Sequence, residues 1–151
     1  MVTSRKIDDL ILPAKLRALM FIHACKEAGI YVLVTGTYRD AEMQDLCYAQ
    51  GRTQPGKIVT NARGGESFHQ YRVAFDVVPL IAGKPVWDGV DAVWERIGAI
   101  GKECELEWAG RWTHFRELPH FQFTGGLTIA DFKAGKTIPA ELTYPKTKVA
   151  A

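Results

Sequence analysis

The residues that could do chemistry lie in two short segments of the sequence. The first, 67–76, reads SFHQYRVAFD: His69 follows a glycine-rich stretch, and Asp76 lies in an otherwise apolar run. A carboxylate among apolar neighbours is costly to bury unless it is paired or bound to a cation. Because imidazole nitrogen and carboxylate oxygen are common zinc ligands, this segment predicts part of a metal site. A capping or ion-paired Asp76 beside a surface His69 is the structural alternative.

The second segment is Glu117-Leu118-Pro119-His120, which runs into an aromatic stretch. Taken alone, His120 could be a hydrogen-bonded core histidine. A catalytic zinc site, however, needs three protein ligands, one open position and a nearby carboxylate that accepts a proton from water. His69, Asp76 and His120 would supply the ligands and Glu117 the base. Because residues three apart face opposite sides of an ideal strand, Pro119 or a bend must turn Glu117 towards the site.

The elements that must position these segments follow from the hydrophobic pattern and the turn residues. A helix is predicted over 8–28, with an apolar stripe at Leu12, Leu16, Leu19 and Met20 and an end at Gly29. A buried strand over 30–34 follows. Asp40 is placed to cap a second helix that runs to about Gln50. Residues 51–66 hold four glycines and one proline without a period, which indicates a long functional loop.

The second half of the chain mixes strands and helices without a regular βαβ rhythm. We predict a strand over 72–79, a turn at 83–85, a helix over 90–102, strands over 105–108 and 120–123, a last helix over 127–132 and a loose tail after Pro139. This mixture predicts an α+β protein. With 151 residues, 47% of them hydrophobic, the chain is expected to form one globular domain over 1–151.

The composition excludes several classes of partner. A formal charge of +2 is too small to indicate the clustered basic face of a nucleic-acid-binding protein. No apolar stretch approaches the roughly eighteen residues of a membrane-spanning helix, and no signal peptide is recognisable, so we expect synthesis in the cytoplasm without membrane insertion. Cys25, Cys47 and Cys104 form no CxxC pair, which is typical of reduced thiols.

The two chemical segments together resemble a known family. The pattern SxHxxxxAxD followed by a carboxylate-x-x-His is similar to the zinc peptidases that group D-Ala-D-Ala carboxypeptidases with L-alanyl-D-glutamate endopeptidases of phage lysis systems. Those peptidases share a fold with the hedgehog signalling domain. Thr35–Arg39 with Gln44 and the Trp/Gly-rich stretch 108–112 match as well, so the resemblance covers about residues 35–123. It implies a small antiparallel sheet flanked by helices.

The resemblance also implies roles for individual residues. His69, Asp76 and His120 would bind one catalytic Zn²⁺, Glu117 would be the general base, and Arg39 would polarise the scissile carbonyl. Arg39 has a physical argument of its own, because a long cation after a strand can reach a pocket and stabilise a developing oxyanion. A surface arginine that pairs with Asp40 or Glu42 is the alternative.

Three further residues are candidate substrate contacts: Gln44, Ser67 and Trp112. Each has a structural alternative, respectively an exposed helix residue, a hydrogen-bonding loop serine and a core tryptophan. Trp108 is expected in the core. His114 is a competing metal ligand, but no carboxylate accompanies it at the required offset.

Three positions depart from the family pattern. Arg72 stands where relatives often have glycine, Gln122 where many have a second histidine, and Glu117 where the endopeptidase branch often has aspartate. The first histidine of that pair is the family's ligand, so Gln122 leaves the predicted metal site intact. Backbone or substrate contacts at Arg72 are expected to differ, and Glu117 blurs the choice of subfamily.

The functional expectation is a phage endolysin that hydrolyses the L-Ala–D-Glu bond of the peptidoglycan stem peptide. Such a protein would be a monomer made in the host cytoplasm and released by a holin to act in the periplasm. A D,D-carboxypeptidase or dipeptidase acting on terminal D-Ala is the enzymatic alternative. A zinc-bearing binding domain without turnover is the other, against which the presence of a base at Glu117 argues.

Overall fold

The computed structural model describes residues 1–147, which form four α-helices and five β-strands. The helices are α1 Leu12–Glu27, α2 Ala41–Ala49, α3 Asp91–Glu103 and α4 Ile129–Lys133. The strands are β1 Tyr31–Gly36, β2 Ala74–Ile81, β3 Lys84–Pro85, β4 Glu107–Trp108 and β5 His120–Gln122. The pairings among the five strands are all antiparallel, in the order β1-β2-β5-β4, and β3 pairs with the far end of β2. The predicted α+β class with a small antiparallel sheet is confirmed.

The register of the central strands separates the core from the chemistry. Phe75 of β2 lies opposite Phe121 of β5, and Asp76 lies opposite His120. Successive residues of a strand face opposite sides of the sheet. The two phenylalanines therefore face the core, where Phe21 of α1 contacts both, while Asp76 and His120 share the other face.

Helix α3 packs closely on the core side of the sheet because it presents glycine there. A Cβ atom on Gly98 would lie 2.1 Å from Cε3 of Trp108, far inside van der Waals contact. Trp108 is 4% exposed and stacks on Phe121 with ring centroids 6.3 Å apart. The expectation that Trp108 belongs to the core is confirmed.

Helix α1 differs from its prediction in its start and in its buried face. The chain is 3-10 helical over Ile7–Asp9, and the α-helix begins only at Leu12. The predicted stripe is wrong at Leu12 and Leu19, which are 46% and 45% exposed, whereas Met20 packs against the core. The buried face consists of Ala14, Ala18, Phe21, Ala24 and Cys25 together with Arg17. Small alanines let the helix approach its neighbours closely, and the apolar bulk comes from Phe21 with the partly buried Met20 and Ile22.

The run 30–34 was expected to be a buried strand, but only one of its faces is buried: Ile30, Val32 and Val34 pack in or against the core. Strand β1 pairs with β2 on one side only, and its Tyr31 and Leu33 are 57% and 40% exposed. The predicted turn at 83–85 is also shorter than expected, because Lys84–Pro85 joins the sheet as β3. The other predicted helices and strands are present with their ends shifted by a few residues.

The segment after Pro139 is more ordered than expected as far as residue 147. Ala140–Leu142 forms a 3-10 turn, and Leu142 packs against the core. The buried Arg17 donates a hydrogen bond to the carbonyl of Thr143, and Glu105 accepts hydrogen bonds from the backbone of residues 146 and 147. The remaining tail, 148–151, lies outside the described residues. Within residues 1–147, no helix is both long and apolar enough to cross a bilayer.

Candidate metal centre and its cleft

Three predicted ligands converge at one point on the face of the sheet opposite the core. His69 comes from a 3-10 turn over Phe68–Tyr71, Asp76 from β2 and His120 from β5. Nε2 of His69 lies 3.3 Å from Oδ2 of Asp76, and Nδ1 of His120 lies 3.3 Å from Oδ1 of the same carboxylate. One ligand atom from each residue falls within 4.8 Å of the other two. This set can hold one metal ion.

The turn that carries His69 is fixed by its own sequence. Oγ of Ser67 accepts a hydrogen bond from the backbone N–H of His69 at 3.3 Å, and the Gln70 side chain accepts one from the backbone of Ser67 at 3.0 Å. This reciprocal pair is a capping box. Ser67 therefore positions the ligand turn, and it also lines the cleft where substrate contact was predicted.

The ring of His69 is oriented by a backbone carbonyl. Its Nδ1 lies 2.7 Å from the carbonyl oxygen of Thr37, just after a bulge between Val34 and Gly36 in β1. Because a carbonyl only accepts, Nδ1 donates to Thr37, which leaves Nε2, the nitrogen that faces Asp76, as the one that can bind a metal ion. Opposite Asp76, a Cβ atom on Gly36 would lie 3.3 Å from Oδ2, so glycine leaves room for the carboxylate.

Glu117 reaches the same point because the chain turns just before β5. The backbone N–H of His120 donates to the carbonyl of Glu117 at 3.3 Å, which is the bend that the sequence required. Oε2 of Glu117 then lies 3.7 Å from Nδ1 of His120, with the glutamate side chain 36% exposed. The carboxylate is thus beside the candidate ligands and still open to the cleft.

The charges of the cluster suit a cation. Burial alone would raise the pKa of Asp76, but His69 and His120 outweigh it and hold that pKa well below its ordinary value. Burial raises the pKa of Glu117, and the Asp76 carboxylate adds to the rise although His120 opposes it. Two imidazoles and one ionised carboxylate, with a second carboxylate adjacent, match the donor set of a catalytic zinc site.

Arg39 points into the site rather than to the surface. Its Nη2 lies 4.0 Å from Oδ2 of Asp76, and its Nη1 donates to Oε1 of Gln44 at 2.9 Å. The alternative partner Asp40 is occupied, because it caps α2 by accepting from the backbone N–H of Met43. The guanidinium lines the cleft beside the candidate metal ligands.

The predicted substrate contact at Gln44 is not found. Its side chain is fully buried, and its amide donates to the carbonyl of Ala62 at 2.8 Å and to Oγ1 of Thr60 at 3.3 Å. Gln44 therefore links Arg39 to the loop 51–66 through hydrogen bonds on the buried side of that loop. A helix residue that should be exposed or substrate-facing is buried because this loop folds over it.

The cleft above the cluster has a volume of about 630 Å³. Its walls include Val59, Thr60, Ala62 and Glu66 from the loop 51–66, as well as Trp87, Trp112 and Arg116. The ring centroid of Trp112 lies 5.6 Å from that of His120, so this candidate substrate contact lines the cleft beside a candidate ligand. Glu66, Trp87 and Arg116 were not predicted from the sequence, because they belong to no motif and become neighbours only in the fold. His114 is exposed and does not line the cleft.

Arg72 stands where relatives often have glycine, and its side chain makes its contacts away from the cleft. Its φ of 61° is left-handed, a conformation that favours glycine. The arginine side chain lies over the ring of Tyr38 at 3.9 Å and donates to the carbonyl of Asp9 at 3.1 Å. These contacts bind the N-terminal segment and offset the strained backbone.

Comparison with known proteins identifies relatives of this arrangement. Two family models, both described as D-alanyl-D-alanine carboxypeptidase, match residues 60–123 and, for the VanY model, residues 11–89. The peptidoglycan L-alanyl-D-glutamate endopeptidase CwlK of Bacillus subtilis is 37% identical over 107 residues. The matched region is 66% of this chain and 64% of CwlK, so the chain spans less than two thirds of that relative's length.

Solved structures share the fold. The L-Ala D-Glu endopeptidase ChiX of Serratia marcescens superposes with a TM-score of 0.59 at 22% identity, over 87% of this chain and 92% of ChiX. A mutant of the vancomycin-resistance D,D-pentapeptidase VanY in complex with Zn(II) gives 0.56 at 17% identity, over 82% and 83% of the two chains. The resemblance predicted from the sequence is confirmed. Because the VanY family model matches more than half of this chain, the chain belongs to the VanY family of D-alanyl-D-alanine carboxypeptidases.

Proposed function

We propose that this protein is a zinc-dependent peptidoglycan endopeptidase that hydrolyses the L-Ala–D-Glu bond of the stem peptide. The observation that carries the proposal is the convergence of His69, Asp76 and His120 at the floor of a cleft, with Glu117 and Arg39 beside them. Membership in a family of peptidoglycan-acting metallopeptidases supports it. A bound zinc ion would polarise the scissile carbonyl and lower the pKa of the attacking water.

The chain's own residues supply the proton transfer and the charge stabilisation. Glu117 takes a proton from the attacking water and delivers it to the departing amine, a role that suits a partly buried carboxylate with a raised pKa. Arg39 faces the oxygen on which negative charge develops, held there by its hydrogen bond to Gln44. Trp112 and Ser67 bound the space in which the peptide must lie.

Cleavage inside a peptide requires room on both sides of the scissile bond. Beyond Trp112 and Glu117 the cleft continues into a second depression of about 460 Å³, bounded by Asn61, Arg63 and Phe115. A substrate can therefore extend past the base in that direction. This continuity, together with the 37% identity to the endopeptidase CwlK, favours an internal cut over the trimming of a free end.

The test is digestion of purified sacculi by zinc-loaded protein, with mass spectrometry of the products. New amino termini at D-Glu, with L-Ala left on the muramic acid, are the expected result. Zinc-loaded Glu117→Gln serves as the matched control and should produce no new termini. Products without D-Glu amino termini would contradict the assigned bond.

The runner-up is a D,D-carboxypeptidase, which the family description favours. An exopeptidase must bind a terminal carboxylate, and Arg116 offers a cation at the cleft wall for that purpose. Release of free D-Ala with no fall in turbidity would establish that activity. Zinc binding with no product at all would leave a non-catalytic zinc-bearing domain.

We further propose that this protein acts as a phage endolysin. A phage endolysin of this kind would act as a monomer, and its release from the host cytoplasm to the periplasm would need a holin. Expression in a bacterial host with and without a holin tests this, because lysis should follow only when both proteins are made. Lysis without a holin, or none with one, would remove the endolysin role while leaving the enzyme.

A further inference from the structure

Gln122 stands behind the candidate ligand His120 on the same face of β5. The two residues are two positions apart, and β5 pairs with β4 so that Gln122 lies opposite Glu107. Gln122 is 2% exposed. Its Oε1 lies 2.7 Å from Nε2 of His120, and its Nε2 donates to Oε2 of Glu107 at 2.7 Å.

The direction of this chain of hydrogen bonds is set by its carboxylate end. Both carboxylate oxygens of Glu107 accept hydrogen bonds, so Glu107 faces the NH₂ end of the Gln122 amide. The carbonyl end must then face His120, where it can only accept. Nε2 of His120 therefore donates to Gln122, which leaves Nδ1, the nitrogen that faces Asp76 and the candidate metal position, as the one that can bind a metal ion.

We propose that Gln122 is a positioning residue that holds His120 in the ring orientation and tautomer needed for coordination through Nδ1, with Glu107 as the anchor of its amide. The inference rests on the proposed zinc site. The other oxygen of Glu107 accepts from Nε1 of Trp112 at 3.2 Å, so the same carboxylate also orients a wall of the cleft. Gln122 stands where many relatives have a second histidine, and in this protein it would help to orient a ligand of the proposed metal site.

The test is the zinc affinity of the loaded enzyme, measured by competition with a chromogenic chelator. Gln122→Met has a similar length but neither donor nor acceptor, and it should weaken zinc binding by about 10–100-fold, the usual effect of losing such a partner. Thermal unfolding in excess zinc is the folding control. A second measurement is the kcat of Gln122→Met at saturating zinc, which should fall by a smaller factor than its zinc affinity.

A charge-swapped pair gives a sharper version of the same test. Gln122→Glu alone keeps an acceptor for His120 but places two carboxylates side by side, so it should bind zinc less tightly than wild type. Adding Glu107→Gln supplies an amide that donates to the new carboxylate and should restore affinity towards the wild-type value. This rescue separates positioning from a general packing effect, because both variants carry the same change beside His120.

Two outcomes would overturn the inference in distinguishable ways. A folded Gln122→Met variant with wild-type zinc affinity, or a double variant no better than Gln122→Glu, would show that Gln122 does not position His120. Wild-type protein that fails to bind zinc would overturn the proposed function and this inference with it.

Discussion

Replacing Gln44 tests how the fold holds Arg39 beside the candidate metal site. Gln44 accepts hydrogen bonds from Arg39 at 2.9 Å and from Gln70 at 3.3 Å, and it donates to Ala62 and Thr60. Gln44→Met keeps the volume and removes all four. Gln44→Glu keeps the two acceptor contacts but loses the amide donors and sets an oxygen against the carbonyl of Ala62.

The expected magnitudes follow from what is left without a partner. A buried group that loses its hydrogen bond costs about 1–3 kcal/mol, but Ala62 and Arg39 are part-exposed and water compensates in part. We therefore expect Gln44→Met to lower the free energy of unfolding by about 1–3 kcal/mol in total. Its turnover should fall by about 10–100-fold, short of the 10²–10³ that removal of an oxyanion donor costs, because Arg39 is displaced and not deleted.

The two variants should separate stability from turnover. Gln44→Glu should be destabilised as well, while it retains more activity than Gln44→Met because a carboxylate still binds Arg39. The assays are denaturant unfolding and hydrolysis of a soluble muropeptide with zinc in excess. Unfolding energies within about 0.5 kcal/mol of wild type, with equal turnover in both variants, would refute the assigned role of Gln44.

Three further predictions concern the metal, the core and acid stability. His120→Ala should lose bound zinc, whereas His114→Ala should keep it; elemental analysis decides, and full occupancy in the first variant would remove His120 from the site. Gly98→Ala should destabilise the protein by about 1–3 kcal/mol in thermal unfolding, because the new methyl group meets Trp108, and an unchanged Tm would contradict this packing. Burial alone would raise the pKa of Glu105, but hydrogen bonds from the backbone of residue 147 and from Arg17 lower it. Its stabilising effect relative to Glu105→Gln should thus be present above about pH 4.3 and shrink as the pH falls through the depressed pKa, as unfolding at several pH values would show; a gap that widens in acid would exclude this origin.

More of the candidate site than of the surrounding fold could be predicted from the sequence. His69, Asp76, His120 and Glu117 were found from sequence because their types and spacing carry the chemistry, and the structure brings them together. The carbonyl of Thr37 that orients His69 belongs to the backbone and leaves no trace in residue type.

The errors share a physical origin in tertiary contacts. The exposed Leu12 and Leu19 were predicted to be buried because leucines at helical spacing outweigh alanines in any hydrophobic pattern. Strand β1 has the composition of a buried strand, yet whether a strand lies at the edge depends on the order of the sheet. Gln44 is buried by a loop far along the chain, which no local pattern in its helix describes.

The two histidines present different ring nitrogens to the same point, and this makes them unequal in substitution. Nδ1 of His120 is as many bonds from its Cα as a carboxylate oxygen of aspartate, whereas Nε2 of His69 matches the longer reach of glutamate. Aspartate at position 120 or glutamate at position 69 would place a carboxylate oxygen near the position of the nitrogen that it replaces. Glutamate at 120 would be too long, and aspartate at 69 would be too short. Substitutions that match the reach of the replaced nitrogen would thus keep three ligands, with a harder donor set that suits oxygen-preferring cations. Substitutions that do not match it would lose one ligand.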